Sequence, residues 1–124
     1  ILTTVCRDLG LDEGLAMRLA GGFGGGMCSG KTCGVVTGAY MVLGLRQHST
    51  PDNAQEMRDQ IHRLIAEFNR QFIALHGSTD CKDLLGMDAS VPGGYEKAKE
   101  KGLFETICPG LGRDSAEILE KLKE

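Results

Sequence analysis

The segment from Gly21 to Gly34 places two thiols, Cys28 and Cys33, in a glycine-rich stretch just before an apolar run. Glycine lets the backbone adopt positive φ and lets other groups approach the main chain closely, so the composition predicts a tight, specialised loop. Cysteine thiolates act as nucleophiles and as metal ligands. This loop is therefore the first candidate for redox or metal chemistry.

The same loop also fits a nucleotide-binding pattern, because Gly25–Thr32 matches G-x-x-x-x-G-K-[ST] without a mismatch. That pattern binds phosphate when a buried strand leads into the loop and a helix follows it. Here the preceding residues, 12–20, carry apolar side chains at helical spacing and include no β-branched residue. A helix is predicted in front of the loop, and this context disfavours nucleotide binding.

Three further cysteines, Cys6, Cys81 and Cys108, bring the total to five. No pair has the C-x-x-C spacing of zinc ribbons or thioredoxin-type sites, so spacing alone specifies neither. Position says more. Cys33 and Cys81 are predicted at the first turns of helices, where the helix dipole should stabilise the thiolate and depress the pKa. Cys108 precedes Pro109-Gly110, which predicts a turn.

The other candidate nucleophiles and bases have simpler structural explanations. Cys6 lies beside apolar residues on the first helix, and buried free cysteines often only pack, so it is predicted to be structural. A cysteine–histidine catalytic pair would need His48, His62 or His76 close to a thiol. These histidines are solitary, and His76 suits the last turn of a helix, where a cation interacts favourably with the dipole.

The elements that must position the cysteines are predicted to be helices in one compact all-α domain spanning residues 1–124, with a glycine-rich loop. Residues 35–45 are apolar nearly all round, which predicts the core helix. Thr50 as N-cap and Pro51 open the longest predicted helix, which Gly77 closes. The apolar face of that helix comprises Met57, Ile61, Leu64, Ile65, Phe68, Phe72 and Leu75.

Shorter helices are predicted on either side of this pair. They cover residues 1–9, 12–20, 81–85 and 95–101, and a last helix is opened by Asp114 with Glu117 as a capping box. The chain begins at Ile1 rather than Met, so an upstream piece is expected to be missing.

Composition excludes several classes of partner. The net charge is -3, with 25% charged residues, no basic run, no Trp and only two Tyr, so nucleic-acid binding is not expected. No apolar run approaches the roughly 20 residues that a membrane-spanning helix needs. An odd number of cysteines in a chain with a helical core favours a cytoplasmic setting over a secreted disulfide framework.

Several segments together resemble a known family. They are Gly22–Met27, Cys33–Gly38 with the following 41–45, Cys81–Gly86, and Cys108-Pro109. Through them the chain is similar, over nearly its whole length, to the C-GCAxxG-C-C family of redox-active proteins. In that resemblance Cys33, Cys81 and Cys108 match the second, third and fourth family cysteines.

The match is not complete. Val35 replaces the alanine of the motif, and the first family cysteine would fall just before Ile1. Cys28 stands at a loop position where glycine is expected, and Cys6 is out of register for the first cysteine. If that upstream cysteine is truly absent, a four-thiolate site is in question.

The resemblance implies a redox role that involves a redox partner protein. Cys33, Cys81 and Cys108 are the candidate catalytic residues, and the same three with Cys28 are the candidate ligands of an iron–sulfur cluster or zinc. A dithiol/disulfide cycle is the second mechanism. The number of cysteines at junctions slightly favours ligation of a metal or cluster over a disulfide, since one disulfide needs only two cysteines. The alternative function is a structural helical domain that acts through oligomerisation, such as a homodimer, with a vestigial cysteine site.

Overall fold

The computed structural model describes residues 1–123, which form eight α-helices, a short 3-10 helix and an isolated bridge but no strand. The all-α prediction is confirmed. The α-helices in chain order are α1 (Leu2–Val5), α2 (Glu13–Ala20), α3 (Gly34–Leu45), α4 (Ala54–His76), α5 (Cys81–Leu85), α6 (Gly94–Glu100), α7 (Leu103–Thr106) and α8 (Cys108–Lys121).

Helix α3 lies at the centre of the core and packs against α1, α4 and α8. Its apolar side chains are buried nearly all round, as its composition predicts. Helix α4 contributes Phe68 and Phe72, whose stacked rings lie 5.8 Å apart between centroids. Helix α8 closes the core with Leu111, Ile118 and Leu119.

Local signals place several helix ends correctly. The Asp12 side chain caps α2 by accepting a hydrogen bond of 2.9 Å from the Leu15 N–H. Gly77 ends α4 at φ 84, and its N–H donates to the carbonyl of Ile73. Glycine is favoured there because the left-handed conformation suits a residue without Cβ.

The predicted start of α4 is wrong, because the helix begins at Ala54 rather than at Thr50 and Pro51. The Asn53 side chain accepts a 2.6 Å hydrogen bond from the Thr50 N–H and donates to the His48 carbonyl. These bonds hold residues 50–53 in a turn that delays the helix. Leu75 is also not part of the buried face, since 62% of it is exposed.

The predicted start of the last helix is wrong as well. Helix α8 begins at Cys108, six residues before Asp114. Pro109 is tolerated in the first turn, where its missing N–H would have no helical partner, so Pro109-Gly110 opens the helix instead of forming a turn. The Asp114 carboxylate lies 2.9 Å from Nε2 of His76, at the end of α4.

Within residues 1–123, no helix has both the length and the apolar character needed to cross a membrane.

Candidate thiol site

Three of the five cysteines lie at the N-terminal ends of helices. Cys33 is the N-cap of α3, Cys81 is the first residue of α5, and Cys108 is the first residue of α8. The prediction that these cysteines occupy junctions between elements is confirmed. Both Cys33 and Cys81 are largely buried, with 8% of each residue exposed, whereas Cys108 is half-buried.

A short backbone pairing joins the segments that carry Cys33 and Cys81. Thr32 and Asp80 form an antiparallel bridge. The Cys33 N–H donates to the Thr79 carbonyl at 2.8 Å, and the Cys81 N–H donates to the Lys31 carbonyl at 2.6 Å. Because side chains alternate along paired segments, residues 33 and 81 lie on the same side as diagonal neighbours. Such neighbours are roughly 7–8 Å apart between Cα atoms.

Cys108 belongs to the same electrostatic cluster. The pKa of Cys81 is raised to about 11, mainly by burial and in smaller part by negative charge on Cys33, Cys108 and Asp88. Burial is also the main cause of the raised pKa of Cys108, with a second contribution from Cys33. The electrostatic coupling of Cys81 to Cys33 and Cys108 indicates that the three cysteines lie in one region of the fold.

The expected depression of the thiol pKa values is wrong for Cys33 and Cys81. Burial raises the pKa of Cys33 and outweighs the backbone N–H groups of Val35 and Val36, which favour the thiolate. The helix N-terminus favours the thiolate, but the removal of water acts in the opposite direction and has the larger effect. All three clustered residues are therefore held as neutral thiols near pH 7.

The glycine-rich loop contains one turn of left-handed backbone. Gly25 and Gly26 have φ 66, followed by Met27 at φ 59 and Cys28 at φ 54. A residue with a Cβ is disfavoured in this region, and two such residues in succession are unusual. The sequence expectation that glycine suits position 28 therefore agrees with the backbone found there. The Cys28 side chain is exposed, and its thiol makes a long contact of 3.8 Å with the Gly24 carbonyl.

Glycines in this loop allow close packing beside the site. A Cβ on Gly26 would lie 2.5 Å from the carbonyl oxygen of Lys31, and it would overlap the Lys31 backbone nitrogen as well. The same Lys31 oxygen accepts the hydrogen bond from the Cys81 N–H. A Cβ on Gly34 would lie 3.3 Å from Cα of Gly24. The left-handed turn is thus packed against the backbone that holds the cysteines.

Asp88 is a site residue that sequence reasoning missed. Its carboxylate lies over Gly30, where an added Cβ would come within 2.8 Å of Oδ1. Hydrogen bonds from the hydroxyl and N–H of Ser90 lower the pKa of Asp88, and the nearby Lys82 and Lys31 contribute less. The Asp-x-Ser pattern could have indicated a local turn, but nothing in the sequence indicated its proximity to Cys81.

The arrangement does not form a ready metal site. In the described part of the chain, no group of three or more Cys, His, Asp or Glu side chains is placed to hold a metal ion. Ligation of zinc or an iron–sulfur cluster by Cys33, Cys81, Cys108 and Cys28 stays a prediction. Cys6 is fully buried, and its thiol donates to the Thr3 carbonyl at 3.3 Å, in agreement with a structural role.

The fold and the site define a helical protein with three clustered thiols at helix N-termini. Residues 1–122 match the family described as "Putative redox-active protein (C_GCAxxG_C_C)", and the chain belongs to that family. No curated protein and no solved structure matches the chain.

Proposed function

We propose that this protein is a thiol–disulfide redox protein in which Cys33 and Cys81 cycle between dithiol and disulfide. The observation that carries the proposal is the Thr32–Asp80 bridge, with its two flanking hydrogen bonds, which joins the backbone segments that carry Cys33 and Cys81. Both cysteines are largely buried, with 8% of each residue exposed.

The exchange reaction requires a disulfide acceptor, which a redox partner protein would supply. The Cys33 sulfur attacks one sulfur of the acceptor, whose S–S bond breaks to give a mixed disulfide and one free thiol. Cys81 then displaces the second acceptor sulfur and forms the Cys33–Cys81 bond. The acceptor leaves as two thiols that hold the two electrons and the two protons of the cysteines.

The groups that surround each sulfur support one order for these steps. The backbone N–H groups of Val35 and Val36 favour the Cys33 thiolate. Cys81 faces the negative charge of Cys33, Cys108 and Asp88. Cys33 is therefore the better first nucleophile. Cys81 is the resolving thiol, which attacks the mixed disulfide formed on Cys33.

Bond formation needs a small backbone adjustment. Cα atoms joined by a disulfide are usually about 4.4–6.8 Å apart, slightly less than the separation of diagonal neighbours. Only two hydrogen bonds hold the paired segments, and the glycine-rich loop leads directly into one of them. A cytoplasmic location, where a dithiol is the resting form, fits this proposal.

The test is to oxidise the anaerobically purified, reduced protein in a glutathione redox buffer, count thiols, and map linked peptides by mass spectrometry. We expect two thiols to be lost and a disulfide-linked Cys33–Cys81 peptide to appear. The Cys33→Ser and Cys81→Ser variants should not form this peptide. Cys108→Ser and the buried-core control Cys6→Ala should retain it. Stoichiometric iron or zinc bound by the reduced protein, lost in the same serine variants, would overturn the proposal in favour of ligation.

A further inference from the structure

A cleft of about 520 Å³ opens beside the glycine-rich loop and is separate from the buried thiols. Its walls come from the loop, from the connector after α5, and from α6 and α7. The residues that line it include Gly24, Gly25, Cys28, Ser90, Tyr95 and Phe104. None of the described residues that line the cleft carries a charged side chain, whereas Lys31 and Lys82 lie near the Asp88 carboxylate.

One wall of the cleft is a pair of aromatic rings. The centroids of Tyr95 and Phe104 are 5.2 Å apart, and their planes are inclined by 33°. Phe104 is half-buried and supports Tyr95, of which 55% is exposed. An aromatic ring that is braced on one side and open on the other offers a surface for stacking a planar group.

The cleft also contains the exposed thiol of the chain, Cys28. This residue lies in the left-handed turn, and its thiol has no hydrogen bond with a described group shorter than the 3.8 Å contact to Gly24. The remaining floor of the cleft is glycine backbone, which allows a ligand to approach closely. A ligand that stacks on Tyr95 would occupy the same cleft as this sulfur.

We propose that the cleft binds a small uncharged disulfide that carries an aromatic ring, and that Cys28 undergoes thiol–disulfide exchange with it. The Cys28 sulfur attacks one ligand sulfur, the ligand S–S bond breaks, and a mixed disulfide forms on Cys28. The other half leaves as a thiol that takes up the proton lost by Cys28. The proposal rests on the thiol redox function above, but it assigns a substrate class to a different thiol.

The experiment measures the rate at which the full chain reacts with three probes: 4,4′-dithiodipyridine, the aliphatic bis(2-hydroxyethyl) disulfide, and the anionic 5,5′-dithiobis(2-nitrobenzoate). Each rate is divided by the rate of the same probe with N-acetylcysteine amide, which removes intrinsic reactivity. Peptide mapping identifies the modified cysteine, and Cys28→Ser should remove the fast phase.

We expect the normalised rate for the neutral aryl disulfide to exceed that for the aliphatic one by about fivefold, the effect of one stacking contact. Tyr95→Ala should remove this preference, and Phe104→Leu should reduce it. The aliphatic probe should react at an unchanged rate with both variants. Leu75→Ala, which truncates an apolar residue on α4 that is exposed to a similar degree, is the matched control.

Equal normalised rates for the three probes, or a preference that survives Tyr95→Ala, would overturn the cleft proposal. Formation of the Cys33–Cys81 disulfide is measured separately in the Tyr95→Ala protein, where it should be unchanged. If Cys28 reacts selectively but no Cys33–Cys81 disulfide forms, the cleft proposal stands and the disulfide proposal is refuted. If the Cys33–Cys81 disulfide forms but Cys28 shows no selectivity, the disulfide proposal stands and the cleft proposal is refuted.

Discussion

Two adjacent glycines offer a direct test of how the left-handed turn supports the thiol site. Gly25 and Gly26 share φ 66, but a Cβ on Gly25 would meet nothing within 4 Å, whereas a Cβ on Gly26 would overlap the backbone of Lys31. Alanine in left-handed backbone costs roughly 1–2 kcal/mol, and the reduced freedom of the unfolded chain returns about 0.4–1 kcal/mol. Gly25→Ala should therefore lower the free energy of unfolding by about 1 kcal/mol.

Gly26→Ala should lower the free energy of unfolding considerably more than Gly25→Ala does. The colliding atoms are main-chain N, C and O of Lys31, which cannot move aside as the end of a flexible side chain can. Overpacking of this kind adds roughly 1–3 kcal/mol, so the total loss should be about 2–4 kcal/mol. Lys31 would also be displaced from the Cys81 N–H, which should make Cys81 more reactive towards iodoacetamide.

Urea unfolding followed by circular dichroism gives both free energies, and alkylation with peptide mapping gives the reactivity of Cys81. The difference between the two variants isolates the contact with Lys31, because the backbone strain is common to both. Equal stabilities, or a Gly25→Ala variant that exposes Cys81 as much as Gly26→Ala does, would refute the packing of the turn against Lys31.

Three other predictions concern strain, burial and ionisation. Cys28→Gly should raise the free energy of unfolding by about 0.5–1 kcal/mol over Cys28→Ala, because only glycine relieves the positive φ; equal urea midpoints would contradict this. Ser115→Ala should stabilise the protein by about 1 kcal/mol, because the Ser115 hydroxyl is fully buried and has no hydrogen-bond partner among the described residues; a lower thermal midpoint would count against it. The pKa of Cys81, raised from 9.0 to about 11, means that the folded protein holds this proton more tightly than the unfolded chain does. The stabilisation is complete below pH 9 and lost by about pH 11, so unfolding measured across that range should become easier, and Cys81→Ser should flatten the dependence.

Sequence reasoning succeeded where a residue acts on its immediate neighbours. The Asp12 side chain caps α2 through the N–H three residues ahead, and Gly77 ends α4 by its own backbone freedom. The all-round apolar composition of α3 was enough to identify the central helix. The junction positions of Cys33 and Cys81 followed from these correctly placed helices.

The predictions that were wrong or missing all concern features that depend on distant groups or on competing local hydrogen bonds. The raised pKa of Cys33 reflects burial by the assembled fold, which the helix-terminus argument does not include. Asn53 competes for the Thr50 N–H and delays α4. The contact of Asp88 with Gly30 joins segments that are far apart in sequence, and the left-handed conformation of Met27 departs from the preference of its residue type. No local pattern indicates either feature.

The bridge between Thr32 and Asp80 affects the rate at which the buried thiols react with reagents from solvent. It rests on two backbone hydrogen bonds, and of the two cysteines beside it Cys33 belongs to the main hydrophobic core whereas Cys81 does not. Separation of the paired segments can therefore occur as a sub-global opening, at a free energy well below that of complete unfolding. Reaction at Cys33 and Cys81 would then be gated by the frequency of this opening, and amide hydrogen exchange at the two cysteines would report the same event.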